Sequence, residues 1–82
     1  MASTARSLHH LASLVDGRVV GDGTVTVRDV THDSRQAGPG TLFVAIPGVH
    51  HDGHDFVPAA VAAGAPAVMV ERELEVAVPQ LV

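Results

Sequence analysis

The chain has 82 residues, no cysteine and a formal net charge of −4, which describes one small acidic domain with no disulfide or thiolate metal site to hold it together. Its fixed positive charges are all arginines, Arg6, Arg18, Arg28, Arg35 and Arg72, so a phosphate-binding loop of the G-x-x-x-x-G-K-[ST] type is excluded. The acidic balance likewise excludes an electrostatic footprint for nucleic acid or for an anionic membrane surface.

Leu8, Leu11, Ala12 and Val15 recur at helical spacing, with Ser7 as a candidate N-cap and Gly17 as a candidate stop. The segment up to Leu14 carries two histidines and no export-type cleavage pattern, and no apolar run approaches the ~20 residues of a membrane span. The chain therefore reads as cytosolic. Arg18-Val19-Val20 reads as a short strand, turned by Gly21-Asp22-Gly23 into a second strand over Thr24–Val30. Together they predict an N-terminal hairpin. Gly38-Pro39-Gly40 marks the next turn, and the apolar run Thr41–Ile46 predicts a strand buried on both faces, central in the sheet.

Asp55 is a candidate cap for a helix from Phe56 to about Ala63, with Pro58 in its first turn and Val57, Ala60, Val61 and Gly64 as its packing stripe. Gly64-Ala65-Pro66 ends that helix before a strand at Ala67–Glu71. Strand, helix and strand here predict a right-handed βαβ unit with parallel strands. The expected architecture is α/β: a small mixed sheet with an N-terminal hairpin, a βαβ unit and two short helices. Leu81-Val82 reads as a strand just beginning, which fits a single domain, 1–82, taken from a longer protein.

Two polar loops flank the Thr41–Ile46 strand. In the first, His32-Asp33-Ser34-Arg35 follows a strand ending at Val30, so its side chains emerge where open α/β sheets bind ligands. Ser34 offers a hydroxyl and Arg35 a planar fork for carboxylate or phosphate; the structural alternative is that Asp33 caps the turn and pairs with Arg35. The second loop, Pro47 to Asp55, holds His50, His51, His54, Asp52 and Asp55 between and beside Gly48 and Gly53. Those glycines admit sharp turns or close approach to a ligand. The histidines suit hydrogen bonding, stacking or a zinc-type site, although His51 and His54 straddle a glycine turn and no second ligand cluster is present. No G-x-S-x-G elbow supports Ser34 as a nucleophile. Glu71, Glu73 and Glu75 with Arg72 read as a solvated run, and His9 and His10 as exposed helix positions.

These segments also carry a family resemblance. Asp33-Ser34-Arg35, Pro39-Gly40, Leu42-Phe43-Val44-Ala45, Gly48, Asp52-Gly53-His54-Asp55-Phe56, Gly64-Ala65 and Val70-Glu71-Arg72, in that order, resemble the N-terminal domain of the Mur ligases. These are ATP-dependent amide-forming enzymes of cytoplasmic peptidoglycan precursor synthesis. Ile46-Pro47-Gly48 and Val78 to Val82 look most like the branch (MurE) that extends UDP-MurNAc-L-Ala-D-Glu with diaminopimelate or lysine. The branch that adds D-Ala-D-Ala (MurF) shares much of the pattern.

The resemblance implies that this domain holds the UDP end of UDP-MurNAc-L-Ala-D-Glu, through His32, Ser34, Val49, His50 and His51. Arg35 is a candidate phosphate contact. It implies no cofactor in this chain. ATP and Mg²⁺ would act in the full-length enzyme, in a central ATPase domain that phosphorylates the terminal carboxylate for attack by an amine held by a C-terminal domain. Those two domains are the expected partners.

Overall fold

The structure, a computed structural model, describes residues 5–46 and 52–82. Two helices, α1 (Leu8–Val15) and α2 (Val57–Ala62), pack with strands β1 (Arg6–Ser7), β2 (Val19–Val20), β3 (Thr26–Val27), β4 (Asp29–Thr31), β5 (Thr41–Val44), β6 (Ala67–Met69) and β7 (Gln80–Leu81). Two 3₁₀ turns, Ser34–Gln36 and Gly53–Phe56, stand after β4 and before α2. Five strands form a mixed sheet in the order β2-β7-β6-β5-β4, and β1 pairs with β3 in a separate two-stranded sheet. β4, β5, β6 and β7 run parallel, while β2 is antiparallel to β7.

The alternation of side chains along the parallel strands assigns each face of the sheet its own core. Leu42, Ala67 and Leu81 join Leu8, Ala12 and Val27 on the α1 side. Phe43, Ala45, Val68 and Val70 join Val57, Ala60 and Ala65 on the α2 side. With helices on both faces, the parallel strands are covered as such sheets require. The expected βαβ unit is β5-α2-β6, in the register Leu42↔Ala67, Phe43↔Val68, Val44↔Met69. β5 is an interior strand as expected, though the middle position belongs to β6.

The predicted hairpin does not form. β2 pairs with β7, in the register Val19↔Leu81 and Val20↔Gln80, and the Thr24–Val30 stretch divides between two sheets. The division falls at Arg28, where the N–H groups of Arg28 and Asp29 both donate to the Gly40 carbonyl, at 2.7 and 3.2 Å. The segment before it is claimed by α1: Val25 and Gly23 carbonyls accept the N–H groups of Leu8 and His9 at 2.9 and 3.0 Å. The first N–H groups of a helix have no partner within it, so that competition outweighs a hairpin ladder. Leu81 lies inside the sheet with β6 on one side and β2 on the other, and is a buried core residue.

Helix ends follow local chemistry. Ser7 caps α1 as expected, its side chain accepting from the His10 N–H at 3.1 Å. The left-handed residue that stops the helix is Asp16, at φ 55°, and not Gly17. Gly17 is needed for space, since a Cβ there would stand 2.6 Å from Leu81 Cδ1. Asp55 does not cap α2; the helix follows directly from the 3₁₀ turn, whose N-cap is Asp52.

Phe43 is the largest fully buried side chain. Stability for 82 residues is expected at roughly 4–12 kcal/mol, and Phe→Ala in a core costs about 3–5 kcal/mol. Phe43→Ala is therefore expected to lower the unfolding free energy by about 3–5 kcal/mol in a denaturant titration, where a loss under ~1 kcal/mol would contradict this packing.

Candidate functional site

The two 3₁₀ turns are built by one device used twice. In each, an aspartate at the N-cap accepts the backbone N–H two residues on and also binds that residue's side chain. Asp33 Oδ1 accepts from Arg35 N at 2.9 Å and from Arg35 Nε at 3.0 Å, while Asp33 Oδ2 accepts from Arg35 Nη2 at 3.0 Å. Asp52 Oδ1 accepts from His54 N at 3.0 Å and lies 2.6 Å from His54 Nδ1. The bonds from Arg35 hold the Asp33 carboxyl below its usual range and raise the Arg35 guanidinium. Asp52 is pulled from 3.8 to about 2, chiefly by the His54 backbone N–H, then by the His54 ring and by Arg72.

The first turn borders an open pocket of about 540 Å³, lined by His32, Asp33, Ser34, Arg35 and Phe56. It lies beyond the C-terminal end of β4, where polar side chains on a turn face a ring from the second turn. Of the predicted site residues, His32, Ser34 and Arg35 come together here. Val49, His50 and His51 lie outside the described residues. Arg35 turns two of its three nitrogens toward Asp33, so the turn-capping alternative describes its bonds in this structure. The residue that sequence reasoning missed is Phe56, read as a helix start and found as the apolar wall of the pocket. Its signal is position, at the end of the Asp52–Phe56 segment, 41% exposed although aromatic.

The second turn is fixed to the sheet. His54 is buried, and its Nε2 accepts the Glu71 N–H at 3.0 Å just past β6. Arg72 Nη2 reaches Asp52 Oδ2 at 3.2 Å. Both ring nitrogens of His54 are thus engaged, which removes it as a metal ligand. Among the described residues no group of three or more His, Asp or Glu side chains is placed to hold a metal. Gly53 is required by proximity to the chain's own backbone: its N–H donates to the Ile46 carbonyl at 2.9 Å, and a Cβ would fall 2.4 Å from Ile46 N. The charge run after β6 is only partly idle. Arg72 belongs to the Asp52 network, and buried Gln80 braces the backbone of Leu74 through bonds of 2.7 and 2.6 Å.

Because the Asp52 carboxyl titrates near 2 when folded and at 3.8 otherwise, its stabilising bonds are complete above pH ~4 and are lost as pH falls toward 2. Asp52→Asn should therefore unfold more readily at neutral pH and show a shallower decline in stability between pH ~4 and ~2. Chemical denaturation across that range checks this, and an unchanged slope would contradict it.

The chain matches the family model described as "Mur ligase family, catalytic domain" over residues 26–81. It is 41% identical over 76 residues to the UDP-N-acetylmuramoyl-tripeptide–D-alanyl-D-alanine ligase of Escherichia coli (strain K12), covering 93% of this chain and 17% of that protein. It is 46% identical over 57 residues to the UDP-N-acetylmuramoyl-L-alanyl-D-glutamate–2,6-diaminopimelate ligase of Listeria innocua, covering 70% of this chain and 12% of the relative. A crystal structure of MurF from Acinetobacter baumannii superposes over 100% of this chain and 18% of its own, with a TM-score of 0.88 and 27% identity. The chain spans less than a fifth of the length of these relatives. No helix among the described residues is long and apolar enough to cross a membrane. The match over residues 26–81 is more than half of the sequence, and the chain belongs to the Mur ligase family.

Proposed function

We propose that residues 1–82 are the N-terminal substrate-docking domain of a cytoplasmic Mur ligase, which grips the UDP end of a UDP-MurNAc-peptide while its reactive carboxyl reaches another domain. The observation that carries this is the pocket beyond β4, with Ser34 and His32 on one side and the Phe56 ring on the other. Its volume of about 540 Å³ is of the order that nucleotide-sized ligands occupy. Ser34 supplies a hydroxyl to the nucleotide and His32 a flanking contact. Val49, His50 and His51 complete the set, largely through backbone groups. Arg35 reaches the diphosphate by the nitrogen not turned to Asp33.

The residues present do not fit an ATP site: there is no lysine, and Ser34, His32 and a carboxylate-bound arginine are the pocket's polar groups. ATP and Mg²⁺ belong to the rest of the enzyme, and this chain contributes binding energy alone. Remote binding of this kind lowers the entropic cost of bringing the reacting carboxylate to its partner.

UDP-MurNAc-L-Ala-D-Glu is the ligand of the diaminopimelate- or lysine-adding reading. The D-Ala-D-Ala-adding reading stands beside it, since the Escherichia coli ligase aligns over 93% of the chain and diaminopimelate-adding relatives align over 88%. Both readings share the UDP-N-acetylmuramoyl group, which is what this pocket would hold.

Titrating the ¹⁵N-labelled chain with UDP-MurNAc-L-Ala-D-Glu should shift Ser34 and Val49–His51, with ADP producing no such pattern. Ser34→Ala should weaken binding about tenfold, the value of one hydrogen bond to a charged group. Equal affinity in the variant, or an equal response to ADP, would remove the assignment.

A further inference from the structure

The Phe56 wall of the pocket belongs to the same four-residue turn as His54, and it is His54 that ties this turn to the sheet. His54 is 4% exposed, and its side chain spans two chain segments. A backbone N–H can only donate, so the 3.0 Å contact from Glu71 N requires a lone pair on Nε2. The ring proton of the neutral imidazole is then on Nδ1, donated to Asp52 Oδ1 at 2.6 Å. This is one specific tautomer, held from both sides. A proton added at Nε2 would face the Glu71 N–H, two donors with nothing between them. The charged groups around the ring are the Asp52 carboxylate and, behind it, Arg72; Glu71 meets it through its backbone.

A second side-chain tie, Arg72 Nη2 to Asp52 Oδ2 at 3.2 Å, reaches the N-cap ahead of the turn, but both of its partners are far more exposed than His54. Gly53 presses it against Ile46, which fixes where it starts. The His54–Glu71 bond is the buried one of the two ties and joins the middle of the turn to the chain leaving β6. This matters because Phe56 lies two residues further along and faces the first turn across the pocket.

We propose that His54 is a positioning residue for uridine-nucleotide binding: as the Nδ1–H tautomer it locks the Gly53–Phe56 turn to the end of β6 and so sets the Phe56 ring against Ser34. This rests on the docking function proposed above. His54 itself does not touch the ligand.

Two substitutions separate the bonds. In His54→Gln the longer amide presents an oxygen to the Glu71 N–H, whereas in His54→Asn the shorter one reaches Asp52 but not Glu71. With UDP as the probe, His54→Asn is expected to lose about tenfold in affinity and to shift the Phe56 ring and Ser34 amide resonances. His54→Gln should keep affinity within about threefold and leave those resonances in place. Wild-type affinity in both variants with Phe56 and Ser34 unmoved, or equal loss in both while folded, would overturn the proposal. If neither variant folds, long-range ¹H–¹⁵N spectra of the wild type decide: an Nε2–H tautomer or an imidazolium at neutral pH contradicts the lock. Failure of wild-type chain to bind UDP would instead overturn the docking function, and the Phe56 and Ser34 shifts would still decide the positioning role.

Discussion

The structure depends on the approach of Gly53 to the backbone of Ile46. A peptide N–H lies 2.9 Å from the carbonyl at the exit of β5, in space that no side chain could share. That contact brings the segment ahead of α2 back to the strand it left. It places the Gly53–Phe56 turn over the C-terminal end of the sheet, lets α2 start with its apolar face toward Phe43 and Val68, and puts His54 within reach of the chain leaving β6. These contacts follow one another along a single short segment. The imidazole accepts the Glu71 N–H from this position, and the Phe56 ring stands opposite the first turn.

The two turns divide the work between rigidity and reception. Their shared chemistry is an aspartate binding both the backbone and the side chain two residues on; the first turn closes on itself through it, while the second is tied as well to the ends of β5 and β6. Arg35 is exposed and its ion pair is local, so it shapes the turn more than it stabilises the domain. His54 is buried, and its bonds carry more weight because water cannot replace them. A domain with a small core gains from this arrangement. Hydrogen bonds at the sheet end hold the pocket in shape where apolar packing of Ala and Val side chains would leave it loose.

The βαβ unit and the buried β5 strand were legible because an uninterrupted apolar run and a helical stripe are local signals. The hairpin was misread for the complementary reason. Alternation over Thr24–Val30 reports a strand-like backbone and says nothing of its partner, and the partner of β2 proved to be β7, some sixty residues away. The loop residues His32, Ser34 and Arg35 were grouped from their place after a strand, and the structure brings them to one pocket. Phe56 was passed over because it was read only as the first residue of a helix. His54 was read with the other histidines as one cluster, although Asp-x-His, like Asp-x-Arg earlier in the chain, has the spacing of an N-cap that binds its own i+2 side chain. Gln80 had no local signal, since its partner is the backbone of Leu74.

The most direct test of this account is native-state hydrogen exchange at the Gly53 and Glu71 amides of the unliganded chain. Both should exchange only on global unfolding, with protection equal to that of the interior strands β5 and β6, because their acceptors are the Ile46 carbonyl and the buried His54 Nε2. Exchange at the rate of the exposed loop amides, with the strands still protected, would contradict the claim that these two bonds fix the end of the sheet on which the pocket stands.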